Sequence, residues 1–376
     1  MTIAFLNCRT LIDDTLVDGM TVIVEGERIA AVVPEADIPA GAERRDLNGA
    51  ILAPGFIDTQ VNGGGGVLFN DAPTVETIAT IGAAHRRYGT TGFLPTLISD
   101  DLATVREGIR AVDAAIEAGV PGVLGIHIEG PFLNVDRKGI HDPDKIIVLD
   151  DEGFSTVTGL KRGRTLVTLA PEQTSPAMIA RLVGTGVIVA AGHTDGSYAE
   201  IRAALDHGLT GFTHLFNAMS PLTSREPGAV GAALDDEDCW CGLIVDGRHV
   251  HPATLRIALK AKRADRFMLV TDAMPSVGQT DKGFMLQGHR VEVIDGVCVN
   301  EDGTLAGSDL DMAQAVRNTR AMIGVSIADA LTMASRNPAR FLGIAESHGR
   351  IAAGWRADLV ALSEDGQPLA TWIGGR

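Results

Sequence analysis

The sequence has few aromatic residues and an excess of acidic over basic side chains. Aromatic residues make up 4% of the 376 residues, which argues against the stacking platforms that bind single-stranded nucleic acid. The formal net charge of −16 at pH 7 argues further against nucleic-acid partners, because these normally require a basic face. A small phosphorylated ligand remains compatible with this charge, since it needs only a few local cations.

Cysteines and long apolar runs are also scarce. Four cysteines are too few for a disulfide framework in a chain of this length, and they favour a reducing, cytoplasmic location. Cys239 and Cys241 lack a zinc-ribbon spacing, so we interpret them as ordinary strand residues. Asp13 and Asp14 interrupt the first apolar run, which argues against a signal peptide. Because every stretch of 18 apolar residues contains charge, we expect no membrane span.

The middle of the chain alternates short apolar runs with helical patterns. Eight apolar runs begin near residues 51, 92, 122, 166, 187, 210, 241 and 267, and helix-like stretches such as Thr74 to Tyr88 lie between them. Strands alternating with helices predict a parallel sheet with crossover helices. Eight such units within residues 52–345 predict a closed (β/α)8 barrel, a TIM-like fold of the α/β class.

The two ends of the chain are rich in short strands and turns. Residues 1–51 and 346–376 are each too short for a stable domain, so we expect them to form one small β-sandwich together. A β-hairpin is predicted after the eighth barrel strand, near Gly288 to Gly303, with Asp295-Gly296 as its turn.

Polar side chains follow four of the apolar runs. The third run ends at Glu129, the fifth at His193, the sixth at His214 and the eighth at Asp272. The carboxyl ends of barrel strands converge on one mouth, so a carboxylate and two imidazoles would meet there in a ligand set that leaves a position open for water. Taken singly, each residue has a structural explanation as a hydrogen-bonded strand-end or turn residue; taken together, they favour a metal site.

At this point the motifs become specific, and the chain resembles the N-acetylglucosamine-6-phosphate deacetylases of the amidohydrolase superfamily. The most specific segments are HIEGPF at 127–132 and HLFNAM at 214–219. The resemblance extends over essentially the whole chain through PGFID at 54–58, KGIH at 138–141, LAPE at 169–172, GHT at 192–194, DGRH at 246–249, TDAM at 271–274 and LAGS at 305–308.

This resemblance implies a role for each matching residue. Glu129, His193 and His214 are implied to hold a divalent metal, Asp272 to act as general base and acid, and His141 to polarise the acetamide carbonyl. The implied reaction is hydrolysis of N-acetylglucosamine 6-phosphate to glucosamine 6-phosphate and acetate, in amino sugar catabolism.

The resemblance also implies where the phosphorylated amino sugar binds. Asn217, the backbone of Ala218, Arg225 and His249 match the residues that hold the sugar phosphate in the family. The family further implies a homodimer in which His249 reaches the site from the neighbouring subunit.

One departure concerns the first barrel strand, where most superfamily members carry His-x-His and bind a second metal. This chain has Gln60 and Asn62 instead. Residues i and i+2 share a face of a strand, but neutral amides are poor zinc ligands. We therefore expect a single ion, with Gln60 and Asn62 bonded to a water at the vacant second position; the alternative is general polar lining.

Two questions remain open at this stage. The Glu/His/His set suits zinc best, with iron(II) as the alternative. Other functions to weigh are a related hydrolase, such as a cyclic amidase or deaminase, and a non-catalytic binding protein. The first usually keeps His-x-His and often a carboxylated lysine, whereas the second predicts loss of the ligand set or of Asp272.

Overall fold

The computed structural model describes residues 2–294 and 296–376. Its central sheet has eight parallel strands, and each strand pairs with the next one along the chain. The strands are β1 (Phe56–Val61), β2 (Thr90–Leu97), β3 (Gly125–Glu129), β4 (Arg164–Leu169), β5 (Ile188–Ala191), β6 (Gly211–Phe212), β7 (Trp240–Leu243) and β8 (Phe267–Leu269). This arrangement confirms the predicted TIM-like barrel.

The barrel closes between β8 and β1 through the residues that follow β8. Asp272 N donates to Gln60 O at 3.0 Å, and Asn62 N donates to Ala273 O at 2.9 Å. An isolated parallel bridge joins Val61 to Ala273. The last pair of the barrel is therefore held at its mouth, where the predicted base Asp272 lies.

Helices cover the outside of the barrel. The first begins after Thr74, whose side chain accepts a hydrogen bond from Thr77 N, and another begins with a capping box between Ser197 and Glu200. The α-helices are Val75–Arg86, Leu102–Glu117, Asp151–Val157, Pro176–Val183, Tyr198–Asp206, Gly228–Asp235, Pro252–Ala261, Met312–Asn318, Ile327–Ala334 and Arg336–Phe341. Short 3-10 turns cover Glu35–Asp37, Val135–Arg137, Pro143–Lys145, Pro171–Gln173 and Ala264–Arg266, and a π-helical turn covers Thr319–Ile323.

Strands from both ends of the chain form two further sheets. In spatial order, one contains Arg28–Pro34, Met20–Glu25, Thr2–Leu6 and Glu43–Asp46, and the other contains Pro368–Trp372, Leu359–Leu362, Ile51–Pro54, Arg9–Ile12 and Thr15–Val17. A shared apolar core, which includes Phe5, Leu52 and Trp372, packs between them.

The first barrel strand begins later than the apolar run predicted. The apolar run near residue 51 contains two strands, because Ile51–Pro54 pairs with the terminal strands and β1 begins only at Phe56. Gly55 lies at the change of sheet, where a Cβ atom would stand 2.1 Å from the Thr91 hydroxyl oxygen. The chain passes too close to β2 for any side chain at this point.

The predicted hairpin after β8 is present as part of a four-stranded antiparallel sheet. Its strands are Phe284–Leu286, His289–Ile294, Val297–Asn300 and Leu305–Ser308. Asp295, in the predicted turn, lies outside the described residues. A shorter antiparallel pair, Gly63–Gly64 with Val67–Leu68, follows β1. Across the described ranges, every helix is too short or too polar to cross a membrane.

Candidate active site

Three predicted metal ligands meet at the carboxyl ends of the barrel strands. Glu129 ends β3, His193 follows β5 and His214 follows β6. Their ligand atoms all lie within 4.8 Å of one another. His214 Nε2 is 2.9 Å from Glu129 Oε1 and 3.1 Å from His193 Nε2. All three side chains are buried, so the structure brings this set together as the sequence predicted.

The surroundings of this set favour metal binding. The second nitrogen of His193, Nδ1, lies 2.8 Å from Arg137 O and can donate to it, which leaves Nε2 with a lone pair directed at the cluster. Burial alone would raise the pKa of Glu129, but the neighbouring rings of His193 and His214 hold that pKa well below its usual range. The ligand carboxylate is therefore ionised, and this donor set fits a divalent cation.

Several residues around the mouth have a backbone conformation that favours glycine. The φ angles are +50° at His193, +32° at His214, +49° at Ala218 and +53° at Asp272. Such left-handed conformations cost free energy in non-glycine residues and persist where the surroundings fix them. The tight turns after β5, β6 and β8 thus direct these side chains into a common cavity.

Gln60 and Asn62 make direct bonds to the acidic residues of the site. Gln60 Nε2 donates to both carboxylate oxygens of Glu129, at 3.0 and 3.1 Å, and Asn62 Nδ2 donates to Asp272 Oδ1 at 2.6 Å. The sequence predicted bonds to a water at a second metal position instead. Burial and the charge of Glu129 raise the pKa of Asp272, which brings this carboxyl closer to the range useful for a base near neutrality.

His141 is oriented as a hydrogen-bond donor toward the cavity. Its Nδ1 accepts from Ser99 N at 3.1 Å and lies 2.8 Å from the Ser99 hydroxyl. Burial and the neighbouring His193 hold the pKa of His141 well below its usual range, so the ring is neutral. Because Nδ1 is the acceptor, the proton of the neutral ring lies on Nε2, which can donate to a substrate oxygen.

Two of the predicted sugar-phosphate side chains, Asn217 and His249, line the same cavity, as does Ala218. His249 Nδ1 lies 2.6 Å from Asp246 Oδ2, and the same carboxylate accepts from His249 N. The Asp246 turn places the His249 ring at the cavity of its own chain, and the expectation that His249 reaches the site of a neighbouring subunit stays a prediction. Arg225 is exposed on the loop before Gly228–Asp235 and does not line this cavity.

The cavity has a volume of about 270 Å³. The sequence did not predict that part of its wall is apolar. Ile98, Ile140, Met274 and Leu305 line the cavity together with the polar residues. Leu305 and the neighbouring Thr304 come from the inserted four-stranded sheet. The hairpin pattern gave no indication that this sheet folds back over the mouth.

Comparisons with known proteins agree with this geometry. The sequence pattern of the amidohydrolase family matches residues 51–376, and that of the NagA composite domain matches residues 3–52. The chain is 44% identical over 330 residues to an N-acetylgalactosamine-6-phosphate deacetylase of Shewanella sp. (strain ANA-3), covering 88% of this chain and 83% of that protein. It is 34% identical over 379 residues to the N-acetylglucosamine-6-phosphate deacetylase of Haemophilus influenzae, covering 100% and 99%.

Solved structures show the same relation. The crystal structure of N-acetylglucosamine-6-phosphate deacetylase from Pasteurella multocida superposes with a TM-score of 0.97 at 33% identity, covering 100% of this chain and 99% of that one. The enzyme from Mycobacterium smegmatis gives a TM-score of 0.92 at 34% identity, covering 100% and 99%. The chain therefore belongs to the amidohydrolase family, in the branch that contains the N-acetylhexosamine-6-phosphate deacetylases.

Proposed function

We propose that this chain hydrolyses N-acetylglucosamine 6-phosphate to glucosamine 6-phosphate and acetate, using one divalent ion held by Glu129, His193 and His214. The observation that carries the proposal is the convergence of this ligand set with Asp272 and His141 in one cavity. The similarity to deacetylases over the whole chain supports the substrate class. Zinc is the ion that we propose first, with iron(II) as the alternative for the same donors.

The protein's own groups account for the proton transfers. When bound, the ion supplies Lewis-acid chemistry beside Asp272. Asp272 accepts a proton from the attacking water as the water oxygen bonds to the acetamide carbon. His141 Nε2–H donates to the developing oxyanion. Asp272 then returns the proton to the nitrogen as the C–N bond breaks, because an amine leaves poorly as an anion.

Recognition of the phosphate is proposed for the other side of the cavity. Asn217, Ala218 N and His249 border the space that the sugar phosphate would fill. Arg225, by contrast, is exposed outside the cavity, so its contact with phosphate would require movement of its loop or a second copy of the chain. The homodimer and the cytoplasmic location remain predictions; measuring the molar mass in solution tests the first.

Acetate release from purified protein tests the function. N-acetylglucosamine 6-phosphate, N-acetylgalactosamine 6-phosphate, unphosphorylated N-acetylglucosamine and a panel of cyclic amides should be compared at equal metal loading. The proposal predicts the highest kcat/KM on N-acetylglucosamine 6-phosphate and poor activity without the phosphate. A higher kcat/KM on the galacto epimer, after which some relatives are named, would reassign the sugar, and activity on cyclic amides alone would overturn the deacetylase assignment.

A further inference from the structure

The segment that carries the base Asp272 is held from several directions. Asp272 has a φ of +53°, so its carboxylate is directed at the cavity by a backbone conformation that needs support. Ser308 N donates to Asp272 O at 2.9 Å, and the Ser308 hydroxyl donates to Thr271 O at 2.6 Å. These bonds hold the carbonyl groups of Thr271 and Asp272. The side chain and N–H of Thr271 bond to a different residue.

That partner is Asp58, a completely buried residue of β1. The Thr271 hydroxyl donates to Asp58 Oδ2 at 2.5 Å, and Thr271 N donates to Asp58 Oδ1 at 3.3 Å. Gln60 N donates to the same Oδ1 at 3.2 Å. One carboxylate thus joins β1 to the segment after β8, across the seam that closes the barrel.

We infer that Asp58 is a positioning residue for the proposed base Asp272, acting through Thr271. The inference rests on the proposed function, in which Asp272 transfers the protons. Asp58 does not itself line the described cavity, so it reaches the chemistry only through the segment that it holds. A buried carboxylate is costly unless it is well hydrogen-bonded, and this one lies where it can fix the residue next to the base.

The negative charge of Asp58 is costly at its buried position. Burial raises the pKa of Asp58 to about 7, against hydrogen bonds from Thr271 and Gln60. Three groups donate hydrogen bonds to the carboxylate when it is ionised. Removing any of them leaves a buried oxygen with fewer partners. Substitutions at Thr271 therefore test the link without introducing charge.

The decisive comparison is Thr271→Val with Thr271→Ser. Valine removes the hydroxyl and keeps the shape, whereas serine keeps the hydroxyl and loses a methyl group. We expect Thr271→Val and Asp58→Asn to lower kcat by about 10- to 100-fold, because sub-ångström to 1 Å errors in position can cost up to about 10² in rate. KM and metal content should stay near wild-type values, and Thr271→Ser should retain most of kcat.

A matched control separates positioning from general stability. Thr319 is also completely buried and donates one hydrogen bond, to Ala315 O at 2.7 Å, in a helical segment away from the cavity. Thr319→Val should lower the Tm and leave kcat unchanged. If Thr271→Val loses no more activity than Thr319→Val while Asp272→Asn is inactive, the inference is wrong. If Asp58→Asn does not fold, the Thr271 pair decides alone.

A structural measurement keeps the two proposals distinguishable. If the wild-type protein does not release acetate, or if Asp272→Asn is active, the proposed function or its base assignment fails. Crystal structures of wild type and Thr271→Val then decide the positioning role. Loss of the 2.6 Å bond between Asn62 and Asp272 in the variant would support it, and an unchanged Asp272 carboxylate would overturn it.

Discussion

Replacing Gln60 and Asn62 together by histidine should raise the metal content of this protein from one ion per chain towards two. In the wild type, the nitrogen atoms of both amides face the carboxylates of Glu129 and Asp272. An amide nitrogen has no free lone pair, so each side chain would have to turn its oxygen inward to bind a second ion. That rotation breaks every one of these hydrogen bonds.

The structure sets the size of this penalty. The two contacts of Gln60 Nε2 with Glu129 count as one shared hydrogen bond, and a hydrogen bond to a charged group contributes about 1.5–3 kcal/mol. Turning both amides therefore costs about 3–6 kcal/mol, or roughly 10²–10⁴ in affinity for the second ion. Histidine at both positions removes the penalty and offers imidazole nitrogens, which zinc prefers to amide oxygens.

Elemental analysis after loading with zinc and removal of loosely bound ions measures the outcome. We expect about one ion per chain for the wild type and a higher content for Gln60→His with Asn62→His. The control, Gln60→Leu with Asn62→Leu, removes the amides without adding ligands and should also stay near one. A wild-type protein that holds two ions, with activity proportional to the second, would refute this reasoning.

Three further predictions follow from individual residues. Asp272→Asn should lower kcat by about 10²–10⁴ with the metal still bound; retention of a large share of kcat would exclude Asp272 as the base. If loop movement or a second copy of the chain brings Arg225 to the phosphate, Arg225→Ala should weaken binding of the phosphorylated sugar roughly 10- to 100-fold, as expected for a lost charged hydrogen bond. Hydrolysis of N-acetylglucosamine should stay unchanged; equal losses on both substrates would place Arg225 in another role, and no loss on either would exclude the phosphate contact. Burial lowers the pKa of His85 to about 4. The unfolded chain therefore binds a proton at His85 more readily than the folded chain does. The free energy of unfolding should fall as pH decreases from 6.5 towards 4. His85 should account for about 2 kcal/mol of that loss at pH 5. Chemical denaturation at pH 7 and pH 5 should show a smaller change in the free energy of unfolding for His85→Gln than for the wild type. Equal changes would contradict the lowered pKa of His85.

The sequence predicted the barrel and the metal ligands because both depend on local patterns. Buried parallel strands are short apolar runs, and a polar residue at the end of such a run must lie at the mouth. Glu129, His193 and His214 could therefore be brought together before any distance was known. The change of sheet at Gly55 could not, since residues 51–57 form one continuous apolar run whose two halves differ in their strand partners.

Features that depend on loop conformation were beyond the sequence. The resemblance identified His249 but not the path of its ring, which is set by the Asp246 side chain accepting from Arg248 N and His249 N. The approach of Leu305 to the cavity likewise depends on how the inserted sheet packs, with Leu286 and Val291 against Ile98 and Met274. The packing of the inserted sheet joins distant parts of the chain, and neither feature leaves a periodic signal.

Charge balance gives a further reason for a single ion. Glu129 and Asp272 supply two negative charges at the mouth when ionised, and His193 and His214 would bind a metal in their neutral form. One divalent ion balances these carboxylates, whereas a second would leave two positive charges without protein partners, which is costly at buried positions. The N–H groups of Gln60 and Asn62 instead satisfy carboxylate oxygens that a second ion would otherwise contact. In the double-histidine variant those donors are lost and no negative charge is gained, so its second ion should bind more weakly than its first.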